Sequence, residues 1–186
     1  MRTPRALLAV LAVLAVLVSV AATSCGGASK PPAPARPERG SIAVSSDFKP
    51  GTSIPRVHTC DGRDVSPPLH AGGLPAGTKE LVVVMHDPDA PGGNFIHWAI
   101  ADLTPDRGSL SLKIGAAPAG AVLGRNSFGS VGYRGPCPPS GAPHHYVITV
   151  YALGQPSGLT RGFTSADVSG QPLLGQGTMT GLYARR

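Results

Sequence analysis

The chain has 186 residues, with 20 prolines, 25 glycines, three cysteines and a formal charge of +6. That mild positive excess comes without any basic block interleaved with aromatic residues, so nucleic acid is not an expected partner. Proline and glycine at this density fit a mostly β domain with many turns, and long amphipathic helices are absent from the pattern.

Arg2 and Arg5 precede an apolar run from Ala6 to Ala22, and small residues then lead into Cys25. A basic start, an apolar stretch and a small-residue cleavage point make residues 1–24 a secretory signal. The cysteine directly after the small residues gives it the form of a lipoprotein signal, with Cys25 as the lipidated first residue. The competing assignment is a retained membrane anchor, because roughly 17 to 25 apolar residues can span a bilayer. The position of the small residues favours cleavage. Removing 24 of the 186 residues leaves 162, enough for one domain with a core, and takes away two arginines so that +6 becomes +4. Residues 25–40 hold almost no large apolar side chain and are dense in proline, alanine and glycine, the composition of a disordered tether that holds a domain off a membrane.

Order is expected from Ser41, giving a domain over residues 41–186. Ile42, Val44 and Phe48 suggest a short alternating strand. Ile54 to Pro68 reads as loop, with turn signals at Cys60-Asp61-Gly62 and Ser66-Pro67-Pro68. Leu81 to Met85 is a buried strand that runs into Asp87, and Phe95 to Leu103 is another that carries His97. Leu110 to Gly124 has little periodicity and reads as loop or a short strand. Tyr146 to Leu153 is a strong strand, rich in β-branched and aromatic residues. Thr164 to Val168 starts a short helix, with Thr164 or Ser165 as its cap. Gly177 to Arg186 is the final strand. If Cys25 carries lipid, Cys60 and Cys137 remain, and outside the cytoplasm two leftover thiols oxidise, tying an early loop to a proline-rich segment.

Two segments concentrate rigid turn residues beside polar side chains. The first is Asp87-Pro88-Asp89-Ala90-Pro91, with His97 and Trp98 shortly after. The second runs from Gly132 to Gly141 through Gly135-Pro136-Cys137-Pro138-Pro139, followed by His144, His145 and Tyr146. In the first, proline fixes φ and disfavours helix at the preceding residue. Asp87 is assigned to a pocket and Asp89 to holding the loop through backbone hydrogen bonds. Strand alternation places Trp98 opposite His97, with Trp98 in the core, and puts His144 and Tyr146 on one face with His145 pointing away. Asp87, His97, His144 and Tyr146 then converge. A carboxylate, two imidazoles and a phenol can hold a phosphate-type group, with the amides of Gly132 to Gly135 as further donors in an anion-binding nest. Asp87 repels an anion unless it shares a proton with it or orients a histidine.

These two segments resemble the two motifs of the phosphatidylethanolamine-binding protein family, closest to its bacterial Raf-kinase-inhibitor-like branch. Thr59-Cys60-Asp61-Gly62, Val65-Ser66-Pro67-Pro68-Leu69 and the ending Gly181-Leu182-Tyr183-Ala184-Arg185 fit the same branch. The resemblance covers roughly residues 41 to 186, and the joint spacing is more specific than either motif. It implies a β-sandwich of antiparallel strands with a few short helices and a small anion-accepting pocket at one end. By position it places Asp87, His97, Pro136, His144 and Tyr146 at that pocket. It also implies binding of a phosphate-bearing small molecule or phospholipid head group, or modulation of a protein partner, with no established reaction and no cofactor. One departure is His145, where the family usually has arginine, which turns a permanent charge into a titratable one. His86 adds an imidazole beside Asp87.

Other readings stand beside this one. A hydrolase could use histidine–carboxylate pairs for acid–base chemistry, or Cys137 beside His144 as a thiol nucleophile, which oxidation with Cys60 would silence. No Gly-x-Ser-x-Gly elbow is present. Zinc held by His97, His144 and Asp87 ranks lower, because no tight His-x-x-x-His spacing supports it. Inhibition of an outside protease or other partner through the proline-rich rim is the remaining alternative.

Overall fold

The computed structural model describes residues 40–185. The signal, Cys25 and nearly all of the tether therefore lie outside the described residues. Among the described residues nine strands form two sheets. The larger has six strands in the order β1 (Gly40–Ser41), β9 (Leu173–Tyr183), β8 (His144–Leu153), β4 (Glu80–Asp87), β5 (Phe95–Leu103) and β7 (Val122–Leu123). All neighbours are antiparallel except β1 and β9, which run parallel. The smaller sheet pairs β2 (Ala43–Ser45), β3 (Leu69–Gly72) and β6 (Leu110–Leu112) in antiparallel order. This is the mostly β sandwich that the sequence implies.

The core explains the sequence pattern. Leu81, Val83 and Met85 of β4, with Ile148 and Val150 of β8, pack against Leu69, Ala71, Leu110 and Leu112 of the small sheet. The opposite face of the large sheet is also covered. Val82, Val84, Ala99 and Ala101 form a second cluster with Phe163 and Val168 from the segment after β8. A strand buried on both faces carries no polar alternation, and this is why β4 reads as one continuous apolar run. The only α-helix among the described residues, α1 (Ser165–Ser169), belongs to this covering segment. Asp167 Oδ2 accepts from the Thr164 amide at 2.7 Å and from its hydroxyl at 2.9 Å, so Thr164 is the cap.

Three elements extend or correct the sequence reading. Leu69–Gly72 is a strand, although two prolines precede it. The segment over 110–124, read as loop or a short strand, holds two short strands, β6 and β7, which belong to different sheets. The last strand begins at Leu173, four residues earlier than its apolar pattern suggests. Its glycines hide it. A Cβ on Gly177 would lie 1.9 Å from the Ile42 carbonyl oxygen, and one on Gly181 would lie 2.5 Å from the Ile54 side chain. These positions are glycine because the segments before and after β2 cross β9 at contact distance.

Cys60 and Cys137 are joined in a disulfide that spans 77 positions, and the Cys60 amide donates to the Pro136 carbonyl at 3.1 Å alongside it. Closing a loop of that length removes entropy from the unfolded chain equivalent to about 4 kcal/mol. Denaturant titration of the Cys60→Ser/Cys137→Ser double variant is expected to show a loss of about this size. A reductant should bring the parent to the same midpoint and leave the variant unmoved.

Candidate functional site

β4 ends, and β5 and β8 begin, at one end of the large sheet, which brings Asp87, His97 and His144 together there. Asp87 is 3% exposed. Its Oδ1 accepts from the Asp89 amide at 2.8 Å and its Oδ2 from His144 Nδ1 at 2.8 Å. The carboxylate thus holds its own loop and orients an imidazole. Asp89 does not close the loop on itself. Its Oδ2 accepts from both the backbone amide and Nδ1 of His145, each at 2.7 Å, and so pins the loop to the start of β8. That hydrogen bonding holds the Asp89 carboxyl below the usual range. His145 is exposed and points away, in the direction that alternation gives.

His97 lines the same cavity as Asp87, His144 and Tyr146, but strand alternation is not what takes it there. Alternation puts it opposite Trp98, but the β4–β5 register steps from Met85/Trp98 to His86/Ile96, leaving His97 as the extra residue of a β-bulge. A bulge breaks the period of two and re-aims a side chain. Trp98 stays in the core, as expected, edge-on to Tyr133. His97 also turns inward, with its ring 5.2 Å from that of Tyr146. Its Nδ1 lies 2.8 Å from the Arg134 carbonyl and 3.1 Å from that of Gly135. Both partners are acceptors, so Nδ1 carries the proton and Nε2 holds the lone pair of the neutral ring. Burial pushes the His97 pKa down.

The Gly132–Gly135 amides do not form the expected anion nest. Those of Gly132, Arg134 and Gly135 are spent on the Gly124 carbonyl, the His97 carbonyl and Asp64 Oδ1. Asp64, which the sequence reading passed over, holds this segment by two bonds, since its Oδ2 also pairs with Arg134 Nε at 3.2 Å. A Cβ on Gly135 would lie 2.2 Å from the His58 carbonyl oxygen, so glycine is required there. Gly135 stands behind His97 and does not line the cavity, nor does Pro136; the following Cys137, Pro138 and Pro139 do.

The cavity between the two motifs has a volume of about 160 Å³. Asp87, His97, His144 and Tyr146 form its polar part. Phe95 and Phe128 form an aromatic wall, packed edge-on with centroids 4.8 Å apart. Phe128 is 43% exposed at the mouth, with the Arg134 guanidinium 5.3 Å from its ring centre. Isolated in a glycine- and serine-rich turn, Phe128 gives no sequence signal. Tyr146 is fully buried, and its hydroxyl makes no well-aligned hydrogen bond among the described residues, although the Asp87 carboxylate stands close enough to compete for its proton. Burial, and then the nearby Asp87 carboxylate, raise its pKa. A larger groove of about 500 Å³ runs beside Arg56, Asp61 and Tyr183, but there Asp61 already accepts from the Tyr183 hydroxyl at 2.6 Å. Among the described residues no three His, Cys, Asp or Glu side chains are grouped to hold a metal ion. Cys137, oxidised, offers no thiolate.

The family model described as phosphatidylethanolamine-binding protein matches residues 44–184. A UPF0098 protein of Aquifex aeolicus is 40% identical over 149 residues, covering 76% of this chain and 86% of the relative. A Mycobacterium tuberculosis protein that carries the lipoprotein name LppC is 41% identical over 145 residues, 75% of this chain and 70% of its own length. The crystal structure of Escherichia coli YbcL, described as a member of the mammalian PEBP family, superposes with a TM-score of 0.71 at 32% identity, covering 78% of this chain and 99% of YbcL.

The lowered pKa of His97 has a sign that can be tested. The folded state binds this proton less readily than the unfolded chain does. The resulting stability is complete above the ordinary histidine value near 6.5 and is lost as pH falls through the lower folded value. His86, half-buried, acts in the same direction. Unfolding free energy is expected to fall between about pH 7 and pH 5. The His97→Gln variant should lose part of that slope, and an unchanged slope would show that His97 is not the group responsible.

Proposed function

The chain belongs to the phosphatidylethanolamine-binding protein family, and we propose that it is an extracytoplasmic, membrane-tethered binding protein whose cavity takes a phosphate-bearing small molecule or head group. The observation that carries this reading is the Tyr146 hydroxyl, fully buried beside the Asp87–His144 pair and without a well-aligned hydrogen bond. Burying a hydroxyl without a hydrogen bond costs of the order of 1–3 kcal/mol, a cost that a bound oxyanion relieves by accepting from it. His144 is supported behind by Asp87, so its Nε2 is free for the ligand, and His97 is supported in the same way by two carbonyls. Such backing fixes orientation before the ligand arrives. The lipoprotein name of the mycobacterial relative and the signal-like start with Cys25 support the membrane tether.

A role in modulating a protein partner would use the rim rather than the floor. Exposed Phe128, with Pro138 and Pro139 beside the cavity, is the feature that favours it. Hydrolysis draws less support, since no serine and no free thiol lines the cavity.

Titration calorimetry with inorganic phosphate and with phosphoethanolamine tests the proposal on the parent and on His144→Ala. Saturable binding is expected in the parent, weakened about tenfold or more in the variant. A folded parent that binds neither ligand would overturn the pocket reading. A partner protein captured by the rim should be held equally well by both forms.

A further inference from the structure

A second cavity, of about 180 Å³, shares no lining residue with the one between the two motifs. Its walls are apolar and aromatic. Ile100 and Leu123 stand beside the Trp98–Tyr133 pair, whose rings meet edge-on with centroids 5.7 Å apart. Gly115, Ala116 and Ala117 form an exposed lip of small residues, tied down where the Gly115 amide donates to the Ser66 carbonyl at 2.9 Å. Two polar groups in the wall are buried yet unused. Trp98 is 3% and Ser66 7% exposed, and neither the indole N–H nor the Ser66 hydroxyl makes a hydrogen bond among the described residues. Neither is sealed off, because the Tyr146 hydroxyl is the one enclosed side-chain polar atom without a well-aligned hydrogen bond among the described residues. Both groups therefore open onto the cavity that their residues line. A buried indole N–H ordinarily finds a partner, so one left unmet at a cavity wall points to an acceptor brought from outside.

We propose that this second cavity binds a neutral, single-ring molecule with a carbonyl-type oxygen, which accepts from the Trp98 indole N–H with the Ser66 hydroxyl as a second donor. Charge at the wall sets the class. Asp64 is the one charged side chain among the lining residues, and both of its oxygens already accept, from the Gly135 amide at 2.6 Å and from Arg134 Nε at 3.2 Å. An anion would meet that carboxylate with no cation in the lining to face it. A cation would find each carboxylate oxygen engaged and would leave the indole N–H unmet. Size sets the ring count. An apolar cavity of about 150 Å³ takes benzene, so this one fits a single ring with a short substituent. A ligand that displaces water from such donors loses affinity unless it reproduces their hydrogen bonds, and the oxygen does so. The site stands whether or not the cavity between the motifs takes phosphate.

Trp98 is the only tryptophan of the chain, so its indole N–H gives one assignable signal in a proton–nitrogen NMR spectrum. The test titrates the protein at neutral pH with acetophenone, benzoate and benzylammonium, which share one ring and differ in charge and in their acceptor. Acetophenone is expected to move the indole signal to saturation, with nuclear Overhauser contacts from its ring protons to Trp98. It is expected to bind at least about tenfold more tightly than either ion, and Ser66→Ala to weaken it about threefold or more. An indole signal of the folded protein that stays in place, or moves without saturating, overturns the proposal. So do contacts to Phe95 and Phe128 in place of Trp98, which would seat the ligand between the motifs. A smaller ratio against either ion overturns the ligand class, and undiminished binding by folded Ser66→Ala overturns the role given to that hydroxyl.

Discussion

A carboxylate buried at the end of a strand must be hydrogen-bonded or it will not stay there as an anion. Asp87 meets that condition with two N–H donors, one from its own loop and one from the first residue of β8. The two motifs, more than fifty residues apart in sequence, are thereby joined at a single side chain. Asp89 repeats the arrangement one step outward, with two bonds to His145. The loop between β4 and β5 is thus fixed on both sides, and its prolines keep the backbone from relaxing away. Removing Asp87 would release the loop and free the His144 ring to rotate. Removing His144 would leave a buried charge without its main partner.

Behind the cavity lies a second layer of support. Asp64 binds the Gly135 amide, the Gly135 and Arg134 carbonyls take the His97 proton, and Tyr133 donates to the His58 carbonyl at 2.6 Å. The disulfide ties the loop that carries Asp64 to the segment that carries those carbonyls. The covalent link and the hydrogen bonds therefore serve one end: they hold the backbone against which His97 is set. A loosened Cys60–Cys137 segment would allow His97 to change its tautomer, and with it the hydrogen-bonding character of the cavity.

Much of this was legible in the sequence. Strands at Leu81–Met85, Phe95–Leu103 and Tyr146–Leu153 were readable because burial and β-branching mark them directly. Asp87, His144 and Tyr146 could be brought together because strand ends and alternation place them. The pairing of Cys60 with Cys137 followed from cysteine count and compartment. What could not be read depends on tertiary contacts. The place of His97 at the pocket was legible, but the bulge that turns it there is a feature of pairing between strands that no local pattern encodes. The start of β9 was masked by glycines whose purpose is to let another segment pass. The amides of Gly132, Arg134 and Gly135 looked available for an anion, yet partners distant in sequence, Gly124, His97 and Asp64, consume them. Phe128 is a lone aromatic in a polar turn, and only the fold sets it against Phe95 and His97.

The central claim is that the two motifs build one ligand site around the Tyr146 hydroxyl. A crystal structure of the protein soaked in phosphate tests it most directly. The account predicts a tetrahedral anion within hydrogen-bond distance of Tyr146 Oη and of Nε2 on both His97 and His144. An anion seated instead in the groove beside Arg56 and Asp61, with the cavity between the motifs unchanged, would contradict it.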